Sequence, residues 1–239
     1  MTIPLKGTSG ELIARMCAGE EFTMIPASRL AALHPIAQRV AGLAGALVEC
    51  GVWNGGSAAV LADAIRRPGR SASSAEPRHV WLFDSWAGLP KPGAKDGERA
   101  WSEWARHGGQ FNVGDAAKPA EAFRLAGLAS MSGSAELADA SAESDECTLH
   151  LRRGWFRDTL AGSISTEIGP IALLHVDADW YESVKLCLTT LYPLVVPGGL
   201  VILDDYGHWP GCRAAVDEYF AKARVRLAHV DYTCHYFFK

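Results

Sequence analysis

The chain has 239 residues, 49% of them apolar and 21% charged, enough for one domain with a substantial core. That balance excludes a disordered chain, a collagen and a disulfide-stapled miniprotein. The formal charge of −4 and a pI of about 6.1 give no basic footprint for nucleic acid or an anionic membrane, so the expected partner is a small molecule or a protein.

No apolar stretch reaches the roughly 18 residues that a membrane span needs. The opening MTIPLKGTSGELIARM has no apolar core of signal-peptide type, so the expected location is the cytoplasm. Six cysteines (Cys17, Cys50, Cys147, Cys187, Cys212 and Cys234) are scattered without a CxxC pair, which speaks against a zinc or redox motif. No internal repeat is evident.

In chain order, residues 1–40 read as an N-terminal helical segment ahead of a domain over 41–239. The first apolar run, Ala46-Leu47-Val48, leads into Glu49-Cys50-Gly51, and a helix is expected from about Ser57 to Arg66. A second run, Val80 to Phe83, leads into Asp84. Residues 91–125, with Trp101 and Trp104, read as a loop-and-helix insertion. Ser130 to Glu146 carries five acids and no Lys or Arg and reads as a solvated insertion.

The third run is Thr148 to Leu151, and the fourth, Ile171 to Val176, leads into Asp177. Val184, Cys187, Leu188, Leu191 and Val195 then recur at helical spacing over Tyr181 to Val195, and Pro197-Gly198-Gly199 is expected to stop that helix. The fifth run, Leu200 to Leu203, leads into Asp204-Asp205. Strand, helix and strand at this spacing make a βαβ crossover, so runs four and five are expected to lie adjacent and parallel. Val230-Asp231 and His235 to Phe238 read as closing strands. The alternation predicts a doubly wound α/β fold with a mostly parallel sheet, whose ligands sit beyond the carboxyl ends of the strands.

Four of the five runs end on or beside an acid. Glu49-Cys50-Gly51-Val52-Trp53-Asn54-Gly55-Gly56-Ser57 is a glycine-bearing turn between strand and helix, yet it matches neither the dinucleotide fingerprint nor the P-loop. An acid there repels a pyrophosphate and suits a ligand bearing an ammonium and a sulfonium, as S-adenosylmethionine does. Asp84 is placed to accept hydrogen bonds from ribose hydroxyls.

Asp177 and Asp179 are two apart at a strand end, where an extended backbone points both to one side, and Asp204-Asp205 ends the next strand. Four converging carboxylates call for a cation, and oxygen donors without His or Cys suit a hard one, Mg2+ foremost, with Ca2+ and Mn2+ as alternatives. Asp179 with Glu182 also matches a capping box, so capping and catalysis both stay open for Asp179. Asp204 and Asp205 lie too far before Pro210 to cap the next helix.

With Phe83-Asp84-Ser85-Trp86-Ala87-Gly88-Leu89-Pro90, Gly154-Trp155-Phe156-Arg157-Asp158-Thr159-Leu160, Asp177-Ala178-Asp179-Trp180-Tyr181-Glu182-Ser183 and Asp204-Asp205-Tyr206-Gly207, the ordered set resembles the macrocin O-methyltransferase family from about Thr23 to Lys239. The resemblance implies a class I, Rossmann-like methyltransferase with a seven-stranded sheet and a lid insertion. It implies a homo-oligomer that uses S-adenosylmethionine and Mg2+ to methylate a sugar hydroxyl of a glycosylated natural product. Carried over, it gives Asp177, Asp204 and Asp205 to the metal and Asp179 to the general base. It gives Met24, Glu49, Gly51, Ser57, Asp84, Ser85, Gly154 and Trp155 to the cofactor, with Thr23-Met24 in a closing segment and Gly154-Trp155 near the adenine. The competing readings are a methyltransferase of catechol-type phenols and a silent cofactor-binding partner subunit, the latter disfavoured by the intact acids.

Overall fold

All five residues of β1 (Ala46–Cys50) are buried, as a strand must be when helices cover both faces of its sheet. The structure is a computed structural model that describes residues 8–66, 77–128, 141–143, 147–223 and 225–239. Around β1 lie β2 (Arg78–Asp84), β3 (Ser141–Glu143), β4 (Cys147–Arg153), β5 (Ile171–Val176), β6 (Val195–Leu203), β7 (Ala228–His229) and β8 (His235–Phe238). Their order across the sheet is β3-β4-β2-β1-β5-β6-β8-β7. The five central strands pair parallel, while β3, β7 and β8 pair antiparallel at the edges. Seven strands are present as expected, although the first closing strand is Ala228–His229 and Val230-Asp231 falls in the bend after it, and β3 is an eighth.

One face of the sheet carries α1 (Ser9–Met16), α2 (Ala27–Gln38), α3 (Gly56–Ala64) and α5 (Lys118–Leu125). Its core joins Leu47, Leu82, Leu173 and Ile202 to Leu30, Leu33, Leu61 and Phe123. The other face carries α4 (Gly97–Arg106), α6 (Phe156–Thr159), α7 (Ile164–Ile168), α8 (Tyr181–Leu191) and α9 (Pro210–Tyr219). There Val48, Phe83, Leu174 and Val201 meet Val184, Leu188 and Val216. Neighbouring residues of one strand enter opposite cores, so strand parity decides which side of the molecule each strand-end acid serves.

Two local expectations are corrected. The helix after β5 ends at Leu191, because Pro193 has no N–H to continue the ladder, and a 3-10 turn spans Tyr192–Leu194. Pro197-Gly198-Gly199 therefore does not stop a helix. It forms an irregularity inside β6, where pairing with β5 jumps from Ile171 opposite Val195 to Leu173 opposite Leu200. Gly198 at φ 80° supplies the left-handed residue this needs. The insertion 91–125 contains α4 and α5, and the acidic stretch 130–146 lies outside the described residues except for β3. Among the described residues no helix is long and apolar enough to cross a membrane.

Candidate active site

Parity and register assemble the first part of the site. Glu49 lies opposite His175 on the neighbouring strand, and His175 opposite Ile202, two residues before Asp204. All three polar side chains point to the face that α2 and α3 cover. There His175 Nδ1 stands 3.1 Å from Glu49 Oε1 and Nε2 stands 3.7 Å from Asp204 Oδ1. Burial pushes the imidazole pKa down, but Glu49 and Asp204 outweigh it and hold it at about 10. The two acids thus favour the charged form of the buried imidazole, although neither ring nitrogen makes a hydrogen bond. Arg29, on α2, continues the alternation: Nη1 donates to Asp204 Oδ2 at 2.6 Å and Nε to Asp231 Oδ2 at 2.7 Å.

The remaining acids gather at the carboxyl edge. Asp177, Asp179 and Asp205 each offer an oxygen within 4.8 Å of the others, and His175, Asp177 and Asp204 form a second, overlapping group. Burial first, then the charges of Asp204 and Asp205, lift Asp177 well above the usual carboxylate range. Burial and Asp205 do the same to Asp179, and burial with Asp204 pushes Asp205 up to about 7. Such a group is stable as anions only with a cation among them, and all-carboxylate donors suit a hard dication.

Asp179 reaches this cluster by another route than expected. The strand ends at Val176, and Asp179 adopts a left-handed φ of 52°, which brings its side chain back toward Asp177 in place of an extended alternation. It does not cap α8. Tyr181 N donates to Asp96 Oδ1 at 2.7 Å, so the cap comes from a distant turn. The Asp179 carboxylate instead accepts the Trp209 indole N–H at 2.8 Å.

Beside these acids opens a cavity of about 430 Å³, in the range of small-molecule sites. Met24, Gly51, Asp84, Ser85, Gly154, Trp155, Asp177 and Asp179 line it, together with Trp53, Leu89, Pro90, Asn112, Phe156 and Leu186. Gly51 is required where it stands: at φ 85° a Cβ would lie 1.6 Å from the Asp177 carbonyl oxygen. The Asp84 carboxylate accepts from Val52 N at 2.7 Å, Trp53 N at 2.8 Å and Trp86 N at 2.7 Å, so it also holds the glycine turn in place. The N-terminal segment is stitched to the same turn by Gly56 N to Phe22 O at 2.8 Å and Asn54 Nδ2 to Glu21 O at 2.7 Å, which sets Met24 over the cavity.

Glu49 and Ser57 were expected in the cofactor site, but neither lines the cavity. Glu49 is fully buried behind the wall, where its Oε1 accepts the Ser57 hydroxyl at 2.6 Å, because its strand position faces α3. Of the three expected metal ligands only Asp177 lines the cavity, and Asp204 and Asp205 do not. Sequence reasoning missed His175, Arg29, Asp231, Asp96 and Trp209. His175 sits inside an apolar run, and a buried histidine between strand-end acids was the one available signal.

A mostly parallel, doubly wound sheet, a glycine turn after its first strand and a pocket beyond its carboxyl edge are the layout shared by class I S-adenosylmethionine-dependent methyltransferases and other nucleotide-binding α/β folds, and likeness to known proteins selects the O-methyltransferases. The chain matches the macrocin-O-methyltransferase (TylF) family over residues 16–128 and 140–239, and belongs to it. It is 37% identical over 205 residues to demethyldecarbamoylnovobiocin O-methyltransferase of Streptomyces niveus, covering 84% of this chain and 68% of that protein. A Streptomyces olivaceus enzyme, 8-demethyl-8-(2,3-dimethoxy-alpha-L-rhamnosyl)-tetracenomycin-C 4'-O-methyltransferase, is 35% identical over 210 residues, or 87% of this chain and 71% of its own. Among solved structures, the O-methyltransferase NovP superposes with a TM-score of 0.69 at 31% identity, covering 91% of this chain and 82% of that one.

Proposed function

We propose that the protein moves the methyl group of S-adenosylmethionine to a sugar hydroxyl of a glycosylated natural product, with Asp179 as general base and Mg2+ held by Asp177, Asp204 and Asp205. The observation that carries the reading is the meeting of three carboxylates within 4.8 Å, Asp177 and Asp179 at the cavity wall and Asp205 beside them. The Streptomyces olivaceus relative is named for 4'-O-methylation of a rhamnosyl-bearing compound, which supports a glycoside acceptor.

Gly51, Asp84, Ser85, Gly154 and Trp155, with Met24 above them, would hold the cofactor; Glu49 and Ser57 would act on it through the glycine turn they support. A dication bound by the aspartates would lower the pKa of an acceptor hydroxyl and fix its direction. Asp204 would contribute Oδ1, which is buried and without a hydrogen-bond partner, since Arg29 occupies Oδ2. Asp179, at the cavity wall, takes the hydroxyl proton as the oxygen displaces the methyl group from sulfur in line. Attack and proton loss offset the vanishing sulfonium charge, so positioning carries most of the rate.

The test is mass spectrometry of a 14 Da gain on a panel containing methyl α-L-rhamnopyranoside, demethyldecarbamoylnovobiocin and catechol, with cofactor and Mg2+. A gain on a glycoside and none on catechol is expected. Asp179→Ala should cost about 10²- to 10⁴-fold in turnover while isothermal titration shows cofactor binding intact. Turnover within a few-fold of wild type, or catechol as the sole acceptor, overturns the reading.

A further inference from the structure

We infer that Trp209 is a positioning residue for the methyl transfer: its indole N–H holds the Asp179 carboxylate by Oδ1 and leaves Oδ2 to meet the acceptor hydroxyl. The inference rests on the assignment of Asp179 as base. The bond is 2.8 Å long and buried, and Asp179 Oδ2 has no hydrogen-bond partner among the described residues. An N–H given to an ionised carboxylate is shorter and stronger than one given to a neutral oxygen.

The indole is itself held firmly. Trp209 is 5% exposed, and its ring packs edge-on against Trp180 with centroids 4.9 Å apart and planes at 72°. The Arg99 guanidinium stands 5.2 Å from the centroid of the same ring. Trp209 N donates to Asp205 O at 3.0 Å, so the ring is anchored on the loop that carries Asp205. Asp179 N donates to Asp205 Oδ2 at 3.2 Å. The loop 205–209 therefore grips Asp179 at two points, backbone and side chain.

That grip has work to do. Asp179 sits at a strained left-handed φ of 52° beside two like-charged carboxylates. Repulsion alone would swing its side chain away from Asp177 and Asp205. The indole N–H is the group that opposes the swing, and a displacement of about 1 Å at a reacting group is enough to cost roughly 10²-fold in rate.

The experiment replaces Trp209 with β-(3-benzothienyl)alanine, in which sulfur takes the place of N–H at nearly unchanged shape, with Trp209→Phe beside it. On the panel glycoside that the wild-type protein methylates, kcat should fall about 10- to 100-fold. Acceptor KM and the cofactor dissociation constant should stay within about twofold, as expected for an interaction that acts in the transition state. An independent arm needs no turnover and no change at Trp209: in ¹⁵N-labelled protein one indole N–H resonance should shift upfield on Asp179→Ala. Full kcat in the sulfur analogue, or an indole spectrum unmoved by Asp179→Ala, overturns the inference. Undiminished turnover in Asp179→Ala itself would instead remove the base assignment beneath it.

Discussion

Asp96→Ala separates the capping of α8 from the chemistry beside it. Asp96 is 1% exposed, and its carboxylate accepts Tyr181 N and Gly93 N, each at 2.7 Å. Tyr181 opens α8 two residues after Asp179, and Gly211 leaves the room in α9, since a Cβ there would stand 1.9 Å from Asp96 Oδ1. Alanine strips the acceptor from two N–H groups, at about 1–3 kcal/mol for each one left buried. It also removes an anion from the N-terminus of α8, about 0.3–1 kcal/mol more. The loss is then about 4 kcal/mol, a large part of the roughly 5–15 kcal/mol that a domain has. At roughly 2–4 °C per kcal/mol for this chain length, Tm should fall by roughly 8–16 °C in a thermal scan followed by circular dichroism. Asp96→Asn, which keeps one oxygen acceptor, should lose about half as much. Asp179→Ala, which removes no helix cap, should melt within a few degrees of wild type. The reverse order, with Asp179→Ala strongly destabilised and Asp96→Ala unaffected, would falsify the assignment of the cap.

Gly51→Ala forces a Cβ to within 1.6 Å of the Asp177 carbonyl oxygen at a φ of 85°, so urea unfolding should show a loss of at least about 3 kcal/mol, with cofactor affinity falling in parallel. Glu218, bonded to the Tyr181 hydroxyl, Lys95 and Lys185, is pulled from 4.5 down to about 2; its folded pKa is depressed, so its stabilisation is present above pH 4.5 and fades toward pH 2. The Tm gap between wild type and Glu218→Gln should accordingly be constant above pH 6 and close on acidification, and a gap that widens in acid would refute the network. Asp205 is pushed from 3.8 up to about 7 by burial and by Asp204, so metal-free protein should lose stability as pH rises through that interval, and Asp205→Asn should raise its Tm at pH 8. Mg2+ should raise the wild-type Tm and leave the variant nearly unmoved, and equal responses to Mg2+ in calorimetry would show that Asp205 is no ligand.

Most of the fold was legible because five strands are buried on both faces and read as unbroken apolar runs: β1 through Leu47-Val48, β5 through Ile171 to Val176. The helix between β5 and β6 gave away their adjacency, since a crossover of that length admits few alternatives. Where one motif serves two structures, local reading failed. Pro197-Gly198-Gly199 suits a helix stop as well as a bulge, and Asp179 with Glu182 suits a cap as well as an active site. The actual cap, Asp96, lies 85 positions before its partner. Arg29 meets Asp204 and Asp231 across 175 and 202 positions. Neither pairing leaves a local signal.

The distant pairings matter because they divide the acids into two groups with different roles. Glu49 and Asp204 lie against His175 and Arg29, cations that the chain itself supplies and that burial keeps in place. Asp177, Asp179 and Asp205 have no ion-pair partner among the described residues. They are also the acids whose protonation burial and mutual repulsion favour. A charge pattern in the sequence shows all five acids alike at strand ends. The fold offsets Glu49 internally and Asp204 in part, through Arg29 at Oδ2, and leaves the outer three short of positive charge, with Asp177 and Asp179 opening onto the cavity. Carboxylates short of positive charge at the wall of a ligand cavity are the condition under which a hard dication binds, in competition with the protons the group otherwise retains. Mg2+ affinity should therefore rise with pH as those protons are displaced, and a titration calorimeter run in buffers of differing ionisation heat should record proton release on binding. Binding without proton release at pH 6 would mean that the three carboxylates are already ionised and that the division into two groups is wrong.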